Sequence, residues 1–392
     1  MINITRKEDC VGCNACGDVC AHRAVSFRTD MEGFWYPVVD KDRCVECGLC
    51  EKVCPVLQSG ELNKTNDGEK PLVYAAYHTN PEIRFASTSG GLYSALAEKM
   101  LEQGGYIGGA VWTDDFQARQ IVSNKLEDLQ RLRGSKYFQS DSTGLYKEIH
   151  TLLKAGEKVL VCGCPCQMAA LRSFLGKNCD NLIVVDFICC SINSPKLFKS
   201  YVRSLEEEYG SKMVSYHPKN KEYGGWHNFA FKATFANGRI YAKNRTEDDF
   251  TNCFIGTHLA GRPSCFECHF KAIPRVADIT IADFWGIEDV DKSMDSPNGT
   301  SLVILNNAKG RNYFVSLGDK VLCVEKTLEE ASTGNTHLYK SLVKPSTNRE
   351  LFYKLVDEEG FKTAMDEVGK ISINSLWGRK IKKIIKRVIR GV

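Results

Sequence analysis

The chain has 392 residues, of which 43% are hydrophobic, and a formal net charge of +4. This length allows two or three domains with cores of their own. No apolar stretch approaches the roughly 20 residues that a membrane-spanning helix needs, and the opening MINITRKEDC does not resemble a secretory signal peptide. Eighteen cysteines would suggest disulfides in a secreted protein, but we expect a cytoplasmic protein, in which thiols stay reduced.

Two cysteine motifs of the same form lie in the first 57 residues. Each has the spacing C-x2-C-x2-C-x3-C, at 10–20 and again at 44–54. This spacing is typical of ferredoxins with two [4Fe–4S] clusters, in which three cysteines of one motif and the fourth of the other bind the same cluster. The predicted ligands are Cys10, Cys13, Cys16 and Cys54 for one cluster, and Cys44, Cys47, Cys50 and Cys20 for the other.

Zinc is the alternative for these cysteines. Structural zinc sites usually present pairs of ligands separated by a dozen or more residues, which two groups of three closely spaced cysteines do not match. We therefore predict a ferredoxin-type electron-transfer domain at 1–57. The polar stretch 58–70 predicts a linker, which we place at 58–71.

After the linker, strands and helices mix without a strict βαβ order, so the predicted fold class of the body is α+β or mixed α/β. Hydroxyl groups at 87–89 are expected to cap a helix that begins near Leu92. We expect the body to have two parts, at 72–155 and 156–345, followed by a helical tail at 346–392. Strands are predicted at 72–78, 106–112, 158–162, 182–189, 278–283 and 301–306, helices from 165 and at 195–209, and a hairpin at 229–243.

The last 17 residues, 376–392, contain seven Lys and Arg residues and no acid. Removing those seven charges changes the net charge from +4 to −3, so the basic character belongs to the tail and we predict no binding to nucleic acid. Apolar residues such as Trp377, Ile381 and Ile385 fall on one helical face. This amphipathic helix either contacts the inner face of an anionic membrane or packs on its own domain. Both alternatives stay open.

Seven cysteines of the body lie where strands are predicted to end or in loops beyond them. In α/β sheets these positions carry the chemistry. A single C-x2-C pair is a weak indication, because buried cysteine often serves as a small apolar residue. Three cysteine-bearing loops that converge predict a third metal site; the alternatives are structural cysteines or a redox dithiol. The seven are Cys162, Cys164, Cys166, Cys189, Cys190, Cys265 and Cys268.

Six segments between residues 72 and 305 resemble, in the same order, the beta subunits of coenzyme F420 hydrogenases and dehydrogenases. They are STSGG at 87–91, RGSKY at 133–137, CPCQ at 164–167, DFIC at 186–189, RPSCFEC at 262–268 and ADITIADFWG at 277–286. The resemblance implies a flavoprotein in which FAD lies beside an iron–sulfur cluster and exchanges electrons with a deazaflavin or another substrate. Because relatives act on different substrates, it implies redox chemistry and no particular substrate.

The resemblance also implies site residues. The turn Thr88-Ser89-Gly90-Gly91 before a helix suits a pyrophosphate, although such a turn is by itself more often only a cap. With the resemblance, it becomes the expected FAD phosphate site. Asp283 is the candidate for orienting substrate or flavin, or else caps the following turn. Cys190 stands where many relatives have a histidine, which leaves the substrate open. The remaining implied residues are Ser135, Lys136 and Tyr137 as a second contact with FAD, and Cys166, Cys189, Cys265 and Cys268 as ligands of a third [4Fe–4S] cluster.

The predicted function is an iron–sulfur flavoprotein oxidoreductase. Ferredoxin, or another low-potential redox protein, would deliver electrons through the clusters to FAD, which passes them to an organic small-molecule substrate. One alternative is an electron-input subunit of a larger redox complex, with the substrate site on a partner chain. A second is a zinc- or cluster-bearing scaffold without flavin.

Overall fold

A computed structural model describes residues 1–62 and 70–369. Half of the predicted linker, 63–69, and the whole basic tail at 376–392 lie outside the described residues. In the described part, a small cysteine-rich unit with one two-stranded sheet precedes a larger body that contains a nine-stranded and a three-stranded sheet. No helix in this part is both long and apolar enough to cross a membrane.

The strands and helices of the described residues are numbered here in chain order. The strands are β1 (Val25–Thr29), β2 (Trp35–Val39), β3 (Leu72–His78), β4 (Tyr106–Trp112), β5 (Ala118–Ser123), β6 (Ser140–Asp141), β7 (Val159–Gly163), β8 (Leu182–Phe187), β9 (Met213–Asn220), β10 (Ala230–Phe235), β11 (Ile240–Asn244), β12 (Ile279–Asp283), β13 (Ser301–Leu305) and β14 (Val321–Lys326). The α-helices are α1 (Ala15–Val19), α2 (Leu49–Lys52), α3 (Ser59–Leu62), α4 (Pro81–Ala86), α5 (Leu92–Glu102), α6 (Leu126–Leu132), α7 (Leu145–Lys154), α8 (Pro165–Leu175), α9 (Pro195–Tyr209), α10 (Asp249–Thr251), α11 (Ile287–Val290), α12 (Ala308–Val315), α13 (Leu328–Gly334), α14 (Arg349–Glu358) and α15 (Phe361–Ala364). Short 3₁₀ turns lie at Lys7–Asp9, Pro263–Cys265, Gly318–Lys320 and Thr336–Leu338, and π-helical turns at Asn252–Gly256 and Met365–Gly369.

The large sheet has the strand order β14-β3-β13-β12-β8-β7-β4-β5-β6 and contains both parallel and antiparallel pairs. Its central strands are apolar and buried because helices cover both faces. Leu96 of α5 and Phe314 of α12 pack on one face, and Met168 and Leu171 of α8 pack on the other. The prediction of a mixed α/β body is therefore confirmed.

The parallel strands β4, β7, β8 and β12 are neighbours in the sheet, so their carboxyl ends meet at one edge. Parallel sheets place binding sites beyond this edge. Cys164 follows β7, Cys189 follows β8 and Asp283 ends β12. The topology thus brings together loops that are far apart in the sequence.

The second sheet, β9–β11, forms a separate aromatic core with α9, α14 and α15. Phe198 of α9 packs against Trp112 at the end of β4, with ring centroids 5.7 Å apart. This contact joins the two sheets close to the edge where the parallel strands end. Phe229 and Phe231 belong to the same core and also reach the cavity described below.

Several predicted elements agree with the structure. The strands at 72–78 and 106–112, the helix at 195–209 and the hairpin between β10 and β11 are confirmed. The predicted capping of α5 is wrong, since Gly91 is its N-cap residue and makes no side-chain cap. Ser89 instead donates to the carbonyl of Thr300. Part of the stretch predicted as linker forms helix α3.

Candidate functional site

The predicted ligands of the first cluster, called the first set below, lie together in the fold although Cys54 is distant in the sequence. They are Cys10, Cys13, Cys16 and Cys54. Burial, and the nearness of Cys16, Cys54 and Cys10, raise the pKa of the Cys13 thiol well above its usual value. Burial, followed by Cys10 and Cys54, raises the pKa of Cys16 to about 12. Binding iron removes these protons and neutralises thiolates that otherwise repel one another. The donor set therefore fits a metal cluster.

The second set combines the fourth cysteine of the first motif with three cysteines of the second motif. Two of them accept backbone N–H groups, from Ile2 to Cys50 Sγ at 3.2 Å and from Ala24 to Cys20 Sγ at 3.3 Å. Such bonds stabilise thiolate sulfur and adjust the potential of a bound cluster. Cys47 is exposed. Cys20, Cys44, Cys47 and Cys50 line one small cavity.

The two cysteine loops have the same backbone conformation. Gly12 and Glu46 occupy equivalent positions with φ of 67° and 52°, and Asn14 and Gly48 have φ of 65° and 73°. Left-handed residues at these two positions bend the loop so that successive cysteines face its inside. The conformation is repeated because the motif is repeated, even though the glycine occupies a different position in each loop.

Among the described residues, no group of three or more His, Cys, Asp or Glu side chains has the spacing to hold a single metal ion. The ligands of a four-iron cube stand farther apart than the ligands of one ion, because each cysteine binds a different iron.

The first cysteine loop is attached to the body by α1 and α7. The Asp18 carboxylate accepts the backbone N–H groups of Gly144 at 2.7 Å and Tyr146 at 3.2 Å, at the N-terminus of α7. The hydroxyl of Tyr146 donates to the carbonyl of Cys13 at 2.8 Å. Asp18 and Tyr146 are both buried. The first set therefore lies on the side of the cysteine-rich unit that faces the body.

In the body, all four predicted ligands of the third cluster are neighbours. A hydrogen bond from Cys164 lowers the pKa of Cys189 to about 7, which makes Cys164 a fifth thiol of this group. Burial and Cys166 raise the pKa of Cys268 to about 11. Cys265 Sγ accepts the N–H of Ile192 at 3.3 Å.

A cavity of about 520 Å³ lies beyond the carboxyl ends of the parallel strands. It brings together residues from three separate predictions: the hydroxyl-rich turn at 87–91, the segment 135–137, and Cys189 with Asp283. Gly90 is not one of its lining residues, and its N–H donates to Ser301 Oγ at 2.9 Å. Predicted residues that line the cavity are Thr88, Ser89, Gly91, Ser135, Lys136, Tyr137, Cys189 and Asp283.

Lys136 has a different environment from the one expected for a phosphate ligand. Its Nζ donates to the carbonyls of residues 131–134, at 2.7 to 3.2 Å, where α6 ends. Burial lowers the pKa of this amine to about 7. Next to it, Thr88 Oγ1 accepts the N–H of Ser135 at 3.0 Å. Lys136 therefore fixes the loop that carries Ser135 and Tyr137.

Asp283, half-buried, belongs to a polar cluster at the cavity wall with the buried Lys219 amine. Its carboxylate lies 2.5 Å from Lys219 Nζ and accepts Trp226 Nε1–H at 2.7 Å. The Lys219 ammonium also lies 4.7 Å from the Trp285 ring centroid. Burial lowers the pKa of Lys219, and Asp283 opposes that shift.

Gln120, His337 and Arg245 also line the cavity, and no sequence pattern pointed to them. Gln120 Oε1 is buried and has no hydrogen-bond partner within the described residues, so it is available to a ligand donor. His337 Nε2 lies 3.3 Å from Cys190 Sγ, and Arg245 lies near the Trp285 ring. None of the three belongs to a motif, so only the fold could reveal them.

Three family models match the chain. Residues 9–57 match the 4Fe-4S dicluster domain. Residues 73–146 and 156–330 match the N-terminal and C-terminal models of the coenzyme F420 hydrogenase/dehydrogenase beta subunit. Together these last two models span well over half of the chain.

Individual relatives are more distant. One of the subunits of the F(420)H(2) dehydrogenase of Methanosarcina mazei is 20% identical, over 93% of this chain and 97% of that protein. Coenzyme F420-dependent sulfite reductase of Methanocaldococcus jannaschii is 29% identical, over 42% of this chain and 24% of that protein. A chain in the structure of the F420-reducing [NiFe] hydrogenase complex from Methanosarcina barkeri is 23% identical and aligns with 75% of this chain and 89% of that chain, with a TM-score of 0.45. From the family models, the chain belongs to the family of coenzyme F420 hydrogenase/dehydrogenase beta subunits and carries a 4Fe-4S dicluster domain ahead of the body.

Proposed function

We propose that this chain is an electron-transfer iron–sulfur subunit of a larger redox complex and that it carries FAD. The observation that carries this proposal is the order of three cysteine sets. The outer set contains the exposed Cys47, the next set includes Cys13 on the side that faces the body, and the third shares Cys189 with the cavity. Such an order suits electrons that move between the surface and the cavity.

The proposed ligands are the twelve cysteines predicted from the sequence. The backbone N–H groups of Ala15 and Gly17 donate to Cys13 and Cys16, and they stabilise thiolate in a partly buried setting. Cys164 is excluded from the proposed set, since its contact with Cys189 lets it act as a hydrogen-bond partner of a ligand. Partners of this kind tune a metal site without binding the metal.

FAD is the proposed occupant of the cavity. When bound, FAD would couple single-electron steps to two-electron chemistry on an organic partner. Thr88, Ser89 and Gly91 offer hydroxyl and backbone groups at the start of α5, where an anionic phosphate is favoured. Tyr137 offers an aromatic surface, and the free Gln120 Oε1 offers an acceptor for a ring N–H.

The partner chains and substrate are proposed from the relatives. The Methanosarcina mazei protein that aligns along nearly the whole chain is a subunit of an F(420)H(2) dehydrogenase, so a reduced deazaflavin and partner redox subunits are the first candidates. Ferredoxin remains a candidate donor for the cluster exposed at Cys47.

A complete oxidoreductase is the second candidate. The buried Lys219–Asp283 pair on the cavity wall favours it, because it supplies charged groups for orienting an organic substrate. One measurement distinguishes the two candidates. The flavin of the purified chain is reduced with dithionite, and its reoxidation by acceptors in cell extract is followed without a second chain. Turnover without a second chain would select the complete enzyme.

Iron analysis of the full chain, purified without oxygen, tests the proposed clusters. The unmodified chain should hold about twelve irons, as three cubes require. Cys268→Ala should lower this to about eight and stop reduction of bound FAD by the first two clusters. Cys323→Ala is the control, since Cys323 is an exposed thiol on the edge strand β14. Equal iron content in the two variants would rule out the third cluster.

A further inference from the structure

Arg262 lies between the cysteine-rich unit and the body, and it is completely buried. Its Nε donates to the carbonyl of Cys10 at 2.8 Å and its Nη2 to the carbonyl of Trp35 at 3.0 Å. The remaining nitrogen, Nη1, donates to Gln139 Oε1 at 2.7 Å. Three elements that are distant in the sequence therefore meet at one guanidinium.

The same residue holds the loop of the body cysteines through its main chain. The N–H of Cys265 donates to the carbonyl of Arg262 at 2.9 Å, and the N–H of Arg262 donates to the carbonyl of Ile192 at 2.8 Å. Ile192 in turn donates its N–H to Cys265 Sγ. Arg262 is therefore bonded on one side to a proposed ligand of the first set, Cys10, and on the other side to a proposed ligand of the third set.

The charge of Arg262 has no carboxylate partner among the described residues; its hydrogen-bond acceptors are two carbonyls and an amide. Other buried arginines are paired, Arg172 with Asp278 and Arg275 with Asp186, both at 2.8 Å. A buried cation without a counter-charge is unfavourable by several kcal/mol. Neutral acceptors and the rings of Phe34 and Tyr36, whose centroids lie 5.3 and 4.5 Å from Cζ, hold this guanidinium, so no carboxylate of the described residues offsets its charge.

The cysteine sets on its two sides can supply a counter-charge. A [4Fe–4S] cluster with four thiolate ligands is an anion, and it becomes more negative by one electron on reduction, so a nearby fixed cation raises its reduction potential. The proximity is tight at Gly12 in the first loop, where an added Cβ would lie 2.8 Å from Arg262 Nη1.

We propose that Arg262 is a positioning residue for electron transfer between the first and third cysteine sets, and that its charge stabilises the reduced state of the clusters on both sides. This inference rests on the proposed function, in which both sets hold clusters. With clusters held by both sets, the transfer would move one electron from the first set to the third, with no proton moved and no bond broken. The positive charge of Arg262 attracts the electron at both sets. It therefore makes reduction more favourable at each of them and does not strongly favour one over the other.

The test is an EPR-monitored redox titration of the full chain and of Arg262→Met. Methionine keeps an apolar stem in the buried position and removes the charge. We expect the one-electron reduction of both neighbouring clusters to become at least tenfold less favourable, a shift of about 59 mV to lower potential. Arg262→Lys keeps the charge and should stay within threefold of the unmodified chain. Unchanged potentials in Arg262→Met, with all clusters bound, would overturn the inference.

A matched control separates charge from docking. Arg349 also joins the cysteine-rich unit to the body, but its guanidinium is paired with Glu32 by two hydrogen bonds of 2.8 Å. The double variant Arg349→Met/Glu32→Gln removes this contact without changing the net charge. It should leave the potentials unchanged, and an equal shift there would show that docking alone sets them.

Two outcomes keep this inference distinct from the proposed function. If the unmodified chain gives no EPR signal from a third cluster, the proposed function fails, whatever Arg262 does. If Arg262→Met loses iron, Arg262→Gln replaces it in the titration, because glutamine is also uncharged and can still donate to one carbonyl. The same tenfold change is expected there, and its absence contradicts the role of the charge.

Discussion

At the scale of single residues, Asp283 shows how a candidate site residue also supports the structure around it. The carboxylate is bonded to Lys219, whose side chain is 4% exposed. Removing one partner of a buried pair leaves an uncompensated charge. A substitution of Asp283 can therefore reduce activity simply by destabilising the fold. Stability must be measured before a loss of activity is assigned to catalysis.

Asp283→Asn should lower the free energy of unfolding by about 3 kcal/mol at pH 7, because Lys219 stays buried without its counter-charge. Without Asp283 the lowered pKa of Lys219 falls further. At pH values between the folded-state pKa of Lys219 and its unfolded value of 10.5, Lys219 is protonated more fully in the unfolded chain than in the folded one. The free energy of unfolding of the variant therefore rises with pH in this range. Chemical denaturation at pH 7 and pH 9.5 checks this.

The control for this experiment is Asp295→Asn. The Asp295 carboxylate also accepts a ring N–H, from His227 Nε2 at 2.7 Å, but the side chains of His227 and Asp295 are 40% and 31% exposed. A surface substitution of this kind should change stability by less than about 0.5 kcal/mol. If Asp283→Asn behaves like Asp295→Asn, the buried pair does not contribute to stability.

Residue-scale roles were only partly predictable. The segment 133–137 was recognised from a motif, but the position of the Lys136 amine on four carbonyls depends on where α6 ends. Gln120 has no motif at all. Its buried, unpartnered oxygen is a consequence of the sheet, which brings β5 next to the segment around Ser140.

At the scale of elements, the repeated cysteine loops provide a comparison within one chain. Glu46 adopts a left-handed conformation at the position that Gly12 occupies in the first loop. Backbone strain alone therefore does not require glycine there. The approach of Gln139 and Arg262 does, because both would contact an added Cβ.

Gly12→Ala should loosen the first loop from the body, whereas Gly48→Ala should cost only the left-handed strain of about 1 kcal/mol. Nothing lies within 4 Å of an added Cβ at Gly48. We expect Gly12→Ala to increase protease cleavage at the junction and to slow electron transfer to the third cluster, with Gly48→Ala close to the unmodified chain. The reverse order would contradict the close contact at Gly12.

Secondary structure was predicted best where the apolar pattern was continuous, as in β4 and α9. The cap of α5 was predicted incorrectly because a hydroxyl before a helix has several possible acceptors. Ser87 donates to the carbonyl of Ile83, in the preceding helix α4, and Ser89 to the carbonyl of Thr300, in a segment more than 200 residues away. A local rule cannot choose between them.

At the scale of the whole molecule, exposure distinguishes the two cysteine sets of the dicluster domain, because Cys47 of the second set is exposed. The first set is covered by the body through Asp18 and Tyr146. An electron-transfer partner therefore reaches the second set more easily. This arrangement assigns an outer and an inner cluster, which the repeat in the sequence leaves equivalent.

Cys47→Ser should remove about four irons and slow the reduction of the remaining clusters by an external redox protein, while FAD stays bound. Cys179→Ser is the control, since Cys179 follows α8 and lies outside all three cysteine sets. Iron analysis checks the loss of iron, flavin absorbance checks that FAD stays bound, and stopped-flow kinetics check the slower reduction. Retention of all iron in Cys47→Ser would contradict the proposed ligand set.

The sequence by itself determined the dicluster domain, the family and most strands, because these depend on spacing and on local apolar patterns. The tertiary structure decided which cysteines of the body meet, that Cys164 joins them, and that Arg262 lies between the first and third sets. These facts depend on the order of strands in the sheet and on the docking of the two units. Neither is encoded in any short segment, since each contact joins residues that are distant along the chain.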